Sequence, residues 1–187
     1  MKIIVMVKLL LALAIVLPAQ LMAANYMIDK EGQHVAVMFK VSHLGFSYNV
    51  GRFNSVEGQF SYDKNNPSAS TASVTIDAKS LDSNHAERDK HIRSDDFLDV
   101  AKYPTITFTS TSYTAGSEND IVKGNLTIRG ITKEVEIAVN HIGEGKDPWG
   151  GYRSGFEGKV DIQAADYGLP EWVGKIAIEL SVEGIRQ

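Results

Sequence analysis

From residue 34 onward the chain alternates apolar and polar side chains with a period of two, which restricts it to strands that bury one face. Val35, Val37, Phe39 and Val41 share one parity with His34, Ala36, Met38 and Lys40 between them. Val56, Gly58, Phe60 and Tyr62 repeat the pattern, and Asp63-Lys64-Asn65-Asn66-Pro67 reads as the turn into Ala72, Val74, Ile76 and Ala78. Further stretches follow at 105–112, 121–128, 133–141, 152–162 and 175–182. They run longer than ordinary strands, and in one domain such strands close into a barrel or stack as a sandwich. Glycine-rich turns, Gly143-Glu144-Gly145 and Gly150-Gly151, separate the later ones.

A single stretch breaks the period. Residues 84–93, which Ser83 or Asn84 can cap, read as a short and highly charged helix, with a second turn over 95–100. Placed between strands, this insertion is expected to cover one end of the sheet.

The first 23 residues read as a secretory signal peptide. Lys2 and Lys8 supply the positive start, and an unbroken apolar run from Leu9 to Leu17 is too short to span a bilayer. Pro18 ends it, and Leu21-Met22-Ala23-Ala24 offers a cleavage site after Ala23 or Ala24. Cleavage leaves one domain, residues 24–187, in the periplasm with no membrane anchor. That length can bury a core unaided. The chain has no cysteine, so disulfides, thiolate catalysis and cysteine metal sites are excluded. Loss of the two signal lysines takes the net charge from −4 to −6, which argues against nucleic acid. A soluble monomer or homodimer is expected.

Catalytic signatures are missing: there is no nucleophile elbow, phosphate loop or His-Glu-x-x-His motif, so no enzyme is expected. The His85–His91 stretch also makes a poor metal site, because its histidines are six apart and point apart on a helix. No metal or cofactor is expected, and a local salt-bridge and hydrogen-bond network is the favoured reading of the stretch.

Eight segments in order carry a resemblance. They are Val41-Ser42-His43-Leu44-Gly45, Asn84 to His91, Asp96-Phe97-Leu98, Tyr103-Pro104, Phe108 to Ser112, Gly124 to Ile128, Asp147 to Gly151 and Ser181 to Gly184. Together the mature chain resembles the YceI-like family. The resemblance implies an all-β fold, an extended eight-stranded antiparallel lipocalin-like barrel with one short helical insertion. It also implies a long-chain polyisoprenoid or similar amphiphilic lipid as partner, held inside for carriage, storage or sequestration.

Candidate ligand residues follow. Phe39, Phe46, Phe53, Phe60, Phe97, Phe108 and Phe156 either fill the core or line an aromatic tunnel. His43, at a strand end with Leu44 and Gly45, either bonds a head group or ties that bend to the insertion. Arg88, Asp89 and His91 complete the mouth, and Trp149 is expected to plug the barrel end. The competing expectation is a packed barrel that binds a periplasmic partner under stress and holds no ligand. An enzyme acting on a bound isoprenoid quinone is a weaker third.

Overall fold

A computed structural model of the chain describes residues 23–187. Residues 1–22, which hold the expected signal peptide, lie outside the described residues. The strands are β1 (Ala24–Ile28), β2 (Val35–His43), β3 (Ser47–Phe53), β4 (Val56–Tyr62), β5 (Thr71–Asp77), β6 (Leu81–Asp82), β7 (Thr105–Thr114), β8 (Asp120–Ile128), β9 (Ile131–Lys146), β10 (Tyr152–Gln163) and β11 (Lys175–Arg186). All pairings are antiparallel, and one helix, α1 (Ala86–Arg93), is inserted after β6.

These eleven segments make eight long strands, because three are broken. β1 and β2 lie end to end along one edge of β11: Tyr26 to Ile28 pair with Arg186 to Gly184, and Val35 to Val41 pair with Val182 to Ile176. β4 and β3 follow them on the other side, then β5 and β6. β7 to β11 complete the ring in chain order. The described residues therefore form a closed eight-stranded antiparallel barrel with one α-helix, one of the two architectures that the alternation allows and the one that the resemblance implies. Closure leaves the lower ring no bare sheet edge.

The break between β1 and β2 is held by charge. The chain leaves β11 after Asp29, whose N–H donates to Glu183 O at 2.9 Å, and returns at His34, whose carbonyl accepts from Glu183 N at 3.0 Å. Asp29, only 4% exposed, accepts from Gly32 N, faces His34 Nδ1 at 2.9 Å and receives Arg153 Nη1 at 2.6 Å. Arg153 also bonds Asp147 and Glu183, so one guanidinium ties the break to the β9–β10 hairpin and to β11. Asp29, His34 and Glu183 lie close enough to hold a metal ion, but the Arg153 cation already bridges the two carboxylates.

Three strands escaped the sequence reading, one of them the two-residue β6. β1 lies before the alternation begins, and β3 inverts it, with Tyr48 and Val50 exposed outside while Asn49 and Gly51 share the inward parity of Phe53. The insertion differs in detail. His85 caps α1, its Nδ1 accepting from Arg88 N at 3.1 Å, because Asn84 sits in the left-handed region (φ 60°) and Ser83 is held by Asp89. The second short turn is present, with turns at residues 95–98 and 100–102.

The Arg153 and His34 contacts and the Gly32 N–H hold the Asp29 carboxyl down at about 2. Its ionised form is thus favoured by folding, a stabilisation present above its ordinary value of 3.8 and lost as pH falls toward 2. Substituting Arg153→Ala leaves Asp29 buried without its cation and is expected to cost about 3 kcal/mol in urea unfolding at neutral pH. The loss should shrink when the same curves are measured below pH 3.

Candidate ligand cavity

Inward-facing side chains of the eight strands do not meet at the axis. They enclose a cavity of about 1180 Å³ that reaches the surface beside the exposed Leu44 and Trp172. It follows β11 from Lys175 to Val182, about 18 Å along the axis for strands rising ~3.3 Å per residue at the usual tilt. Ile76, Ile106, Leu126, Ile128, Ile162 and Leu169 form much of its buried wall.

Glycines make room for the phenylalanines that border this space. The Phe39 ring lies over Gly51, its cross-strand partner, so close that a Cβ there would clash with the ring. Phe108 lies in the same way against Gly124, and Phe60 against Gly184. Each ring lies along the wall where a β-branched neighbour would push it into the lumen.

Aromatic rings gather at the end away from α1. Tyr26 stacks on Phe60 at 5.0 Å, Phe156 meets Tyr62 edge-on at 5.0 Å, and His141 lies 4.6 Å from Tyr62. Tyr113 donates its hydroxyl to Asp120, and burial together with that carboxylate raises its pKa. Ser154, fully buried, hydrogen-bonds His141 Nε2 at 3.1 Å, and burial keeps the imidazole below its ordinary pKa and so biased to neutral. This end is a largely apolar floor in which Tyr113 pairs with Asp120 and His141 with Ser154.

The opposite end is wetter. His43, Asn49, Ser83, Arg88 and His91 all border the cavity there. Arg88 donates through Nε to Ser83 Oγ at 2.7 Å and through Nη1 to Asn49 Oδ1 at 3.0 Å. His91 sits 3.3 Å from Asp96 and edge-on to Phe97 at 4.9 Å.

Among the expected ligand residues, the structure brings Phe39, Phe53, Phe60, Phe97, Phe108 and Phe156 to the cavity, with His43, Leu44, Arg88 and His91 at its polar end. Three do not reach it. Phe46 projects from the β2–β3 hairpin, 87% exposed. Asp89 is buried and spends its carboxylate on the N–H and hydroxyl of Ser83, so it fixes the start of α1. Trp149 plugs nothing: it is 79% exposed in the β9–β10 hairpin, with the Arg153 guanidinium 5.6 Å above its ring. The tie between strand and insertion runs through Arg88 and Asn49.

A model of the YceI-like domain matches residues 26–184. The chain belongs to the YceI-like family. A UPF0312 protein of Pseudomonas aeruginosa is 52% identical over 172 residues, covering 90% of each chain. The solved structure of Burkholderia cenocepacia BcnA aligns with a TM-score of 0.73 at 24% identity, covering 83% of this chain and 98% of that one. A polyisoprenoid binding domain from Saccharophagus degradans, implicated in plant cell wall breakdown, aligns at 0.65 and 16% identity over 88% and 99%. At those identities the two structures speak to the YceI-like fold alone.

Sequence reasoning missed Tyr26, Tyr62 and Tyr113, which build the floor of this YceI-like barrel, and Trp172, which borders the open end. Tyr26 and Tyr62 carried a signal, since each occupies an inward parity in its strand, whereas Tyr113 turns inward only because a bulge between Ser110 and Ser112 shifts the register of β7. Trp172 sits in a short 3-10 turn (Glu171–Val173) outside any periodic stretch.

The glycine contacts give a test. A Gly51→Ala change should displace Phe39, costing about 2 kcal/mol of stability and reducing uptake of an apolar fluorescent probe. A second change, Phe39→Leu, should recover much of both losses, whereas independent, additive effects would show that the ring and the glycine are not coupled.

Proposed function

We propose that this protein holds a long apolar chain, of polyisoprenoid type or a similar amphiphile, inside its barrel, and that it does so in the periplasm. The observation that carries the reading is the lumen: about 1180 Å³, phenylalanine-bordered, closed by an aromatic floor and polar at the other end. Such a shape suits a molecule with a hydrocarbon tail and a hydrogen-bonding head. Each Å² of apolar surface taken from water contributes about 25 cal/mol before ordering costs, so a tail gains with every carbon it inserts. His43, Arg88 and His91 stand where a head group would rest, and Asn49 and Ser83 hold the Arg88 guanidinium in place. The relative in fold from Saccharophagus degradans, a polyisoprenoid binding domain, supports the same ligand class.

A packed barrel without ligand is disfavoured by a lumen of this size. The reading is one of binding, not catalysis: every role named here is packing or hydrogen bonding. The signal-like first 23 residues support the periplasmic setting. Among the described residues no helix is long and apolar enough to cross a membrane.

Protein purified from its native host should release a prenyl chain or related amphiphile on organic extraction, identified by mass spectrometry at a molar ratio near one. Repeated recovery of lipid-free protein that takes up no such lipid in vitro would overturn the proposal.

A further inference from the structure

The β2–β3 hairpin tip breaks two local rules at once. Its turn residues, Leu44 and Gly45, both have positive φ (53° and 76°), closed by a Phe46 N–H to His43 O bond of 3.0 Å. That geometry favours Asn-Gly, and a leucine there is strained. Leu44 is nevertheless 78% exposed, and Phe46 beside it is more exposed still. No packing within the barrel repays either the strain or the exposed hydrocarbon, so the tip presents these side chains outward.

A second apolar tip flanks the same opening. Trp172 is 78% exposed in the turn before β11, and Ile176 of β11 pairs with Val41 near the hairpin apex. Its ring meets Phe97 edge-on at 5.8 Å, and Phe97, Trp172 and Leu44 all border the cavity. Apolar side chains thus reach from the outside of both tips to the cavity, beside the polar residues of the mouth. Tyr48 and Val50 extend the exposed surface along β3, with Lys40 Nζ 4.0 Å from the Tyr48 ring centre.

We infer that these two tips dock the barrel's open end on a lipid bilayer surface, so that the lumen is filled from and emptied into the membrane directly. This rests on the lipid-holding reading above. A bilayer accepts separate convex tips, whereas a protein partner needs a complementary surface of about 800 Å² per side. Tyr48 and Trp172 are residue types that settle at the water–lipid boundary. Charges of both signs surround the opening, including Lys90, Asp95, Asp96, Glu171 and Lys175, so attachment depends on apolar insertion and little on salt.

The two tryptophans provide the test, because Trp149 and the turn that carries Trp172 lie beyond opposite ends of β10, a strand of twelve residues. Vesicles of phosphatidylethanolamine and phosphatidylglycerol with brominated acyl chains should quench and blue-shift Trp172 in W149F. They should leave Trp149 in W172F unquenched. Substitution L44N, which installs the Asn-Gly turn, should raise the thermal midpoint yet weaken vesicle partitioning about tenfold, and F46S should weaken it similarly. Quenching of Trp149, of neither ring, or an L44N protein that partitions like wild type overturns the inference. Prenol uptake from detergent micelles tests the lumen separately: a barrel that fills from micelles but ignores vesicles loses the docking inference alone.

Discussion

One edge of β11 holds the fold together. Along it the chain must pair first with β2 and then with β1, and only that double use turns an eight-stranded meander into a closed ring. Backbone hydrogen bonding favours closure, since an open ring would expose two ladders of N–H and C=O groups. The junction is also where the ladder is interrupted, at Asp29 to His34, and there a buried carboxylate and an arginine substitute side-chain bonds for backbone ones. Lumen, floor and mouth all depend on that junction, because without it β1, with β4 paired behind it, has no fixed place beside β11.

Closure alone does not make a container. Eight strands give a ring whose interior side chains can fill it or leave it hollow, and here residue size decides. Gly51, Gly124 and Gly184 let three phenylalanine rings lie along the wall. The tyrosines and Phe156 converge at one end instead. Phe39 lines the wall beside Gly51, while Phe60, against Gly184, joins the rings that seal the bottom. At the other end polar residues replace rings, and the gradient from apolar floor to hydrogen-bonding mouth matches an amphiphile with its head outward.

Much of this was legible in the residues, and the exceptions have physical causes. Alternation located β2, β4, β5 and β7 to β11, because one face of each meets hydrocarbon and the other meets water. It failed at β3, whose inward positions are Asn49 and Gly51, one held for Arg88 and one left small for Phe39. Cap identity was missed at α1 because Asp89 had already taken Ser83, a contact set by tertiary packing. Among the site residues, all seven phenylalanines were taken together, and composition could not separate Phe39 in the wall from Phe46 at an exposed tip. Trp149 was misplaced for a related reason: a Pro-Trp-Gly turn looks like a plug, yet the ring lies on Arg153, which an ion cluster had fixed nearby.

The central claim, that the lumen takes an apolar chain lengthwise down to an aromatic floor, is tested most directly by titration calorimetry with prenols of increasing length. Burial of apolar surface makes the heat-capacity change of binding more negative. The account predicts that this change grows with each added isoprene unit and levels off once the chain reaches Tyr62 and Phe156. A change that is absent, or that does not vary with chain length, would contradict it.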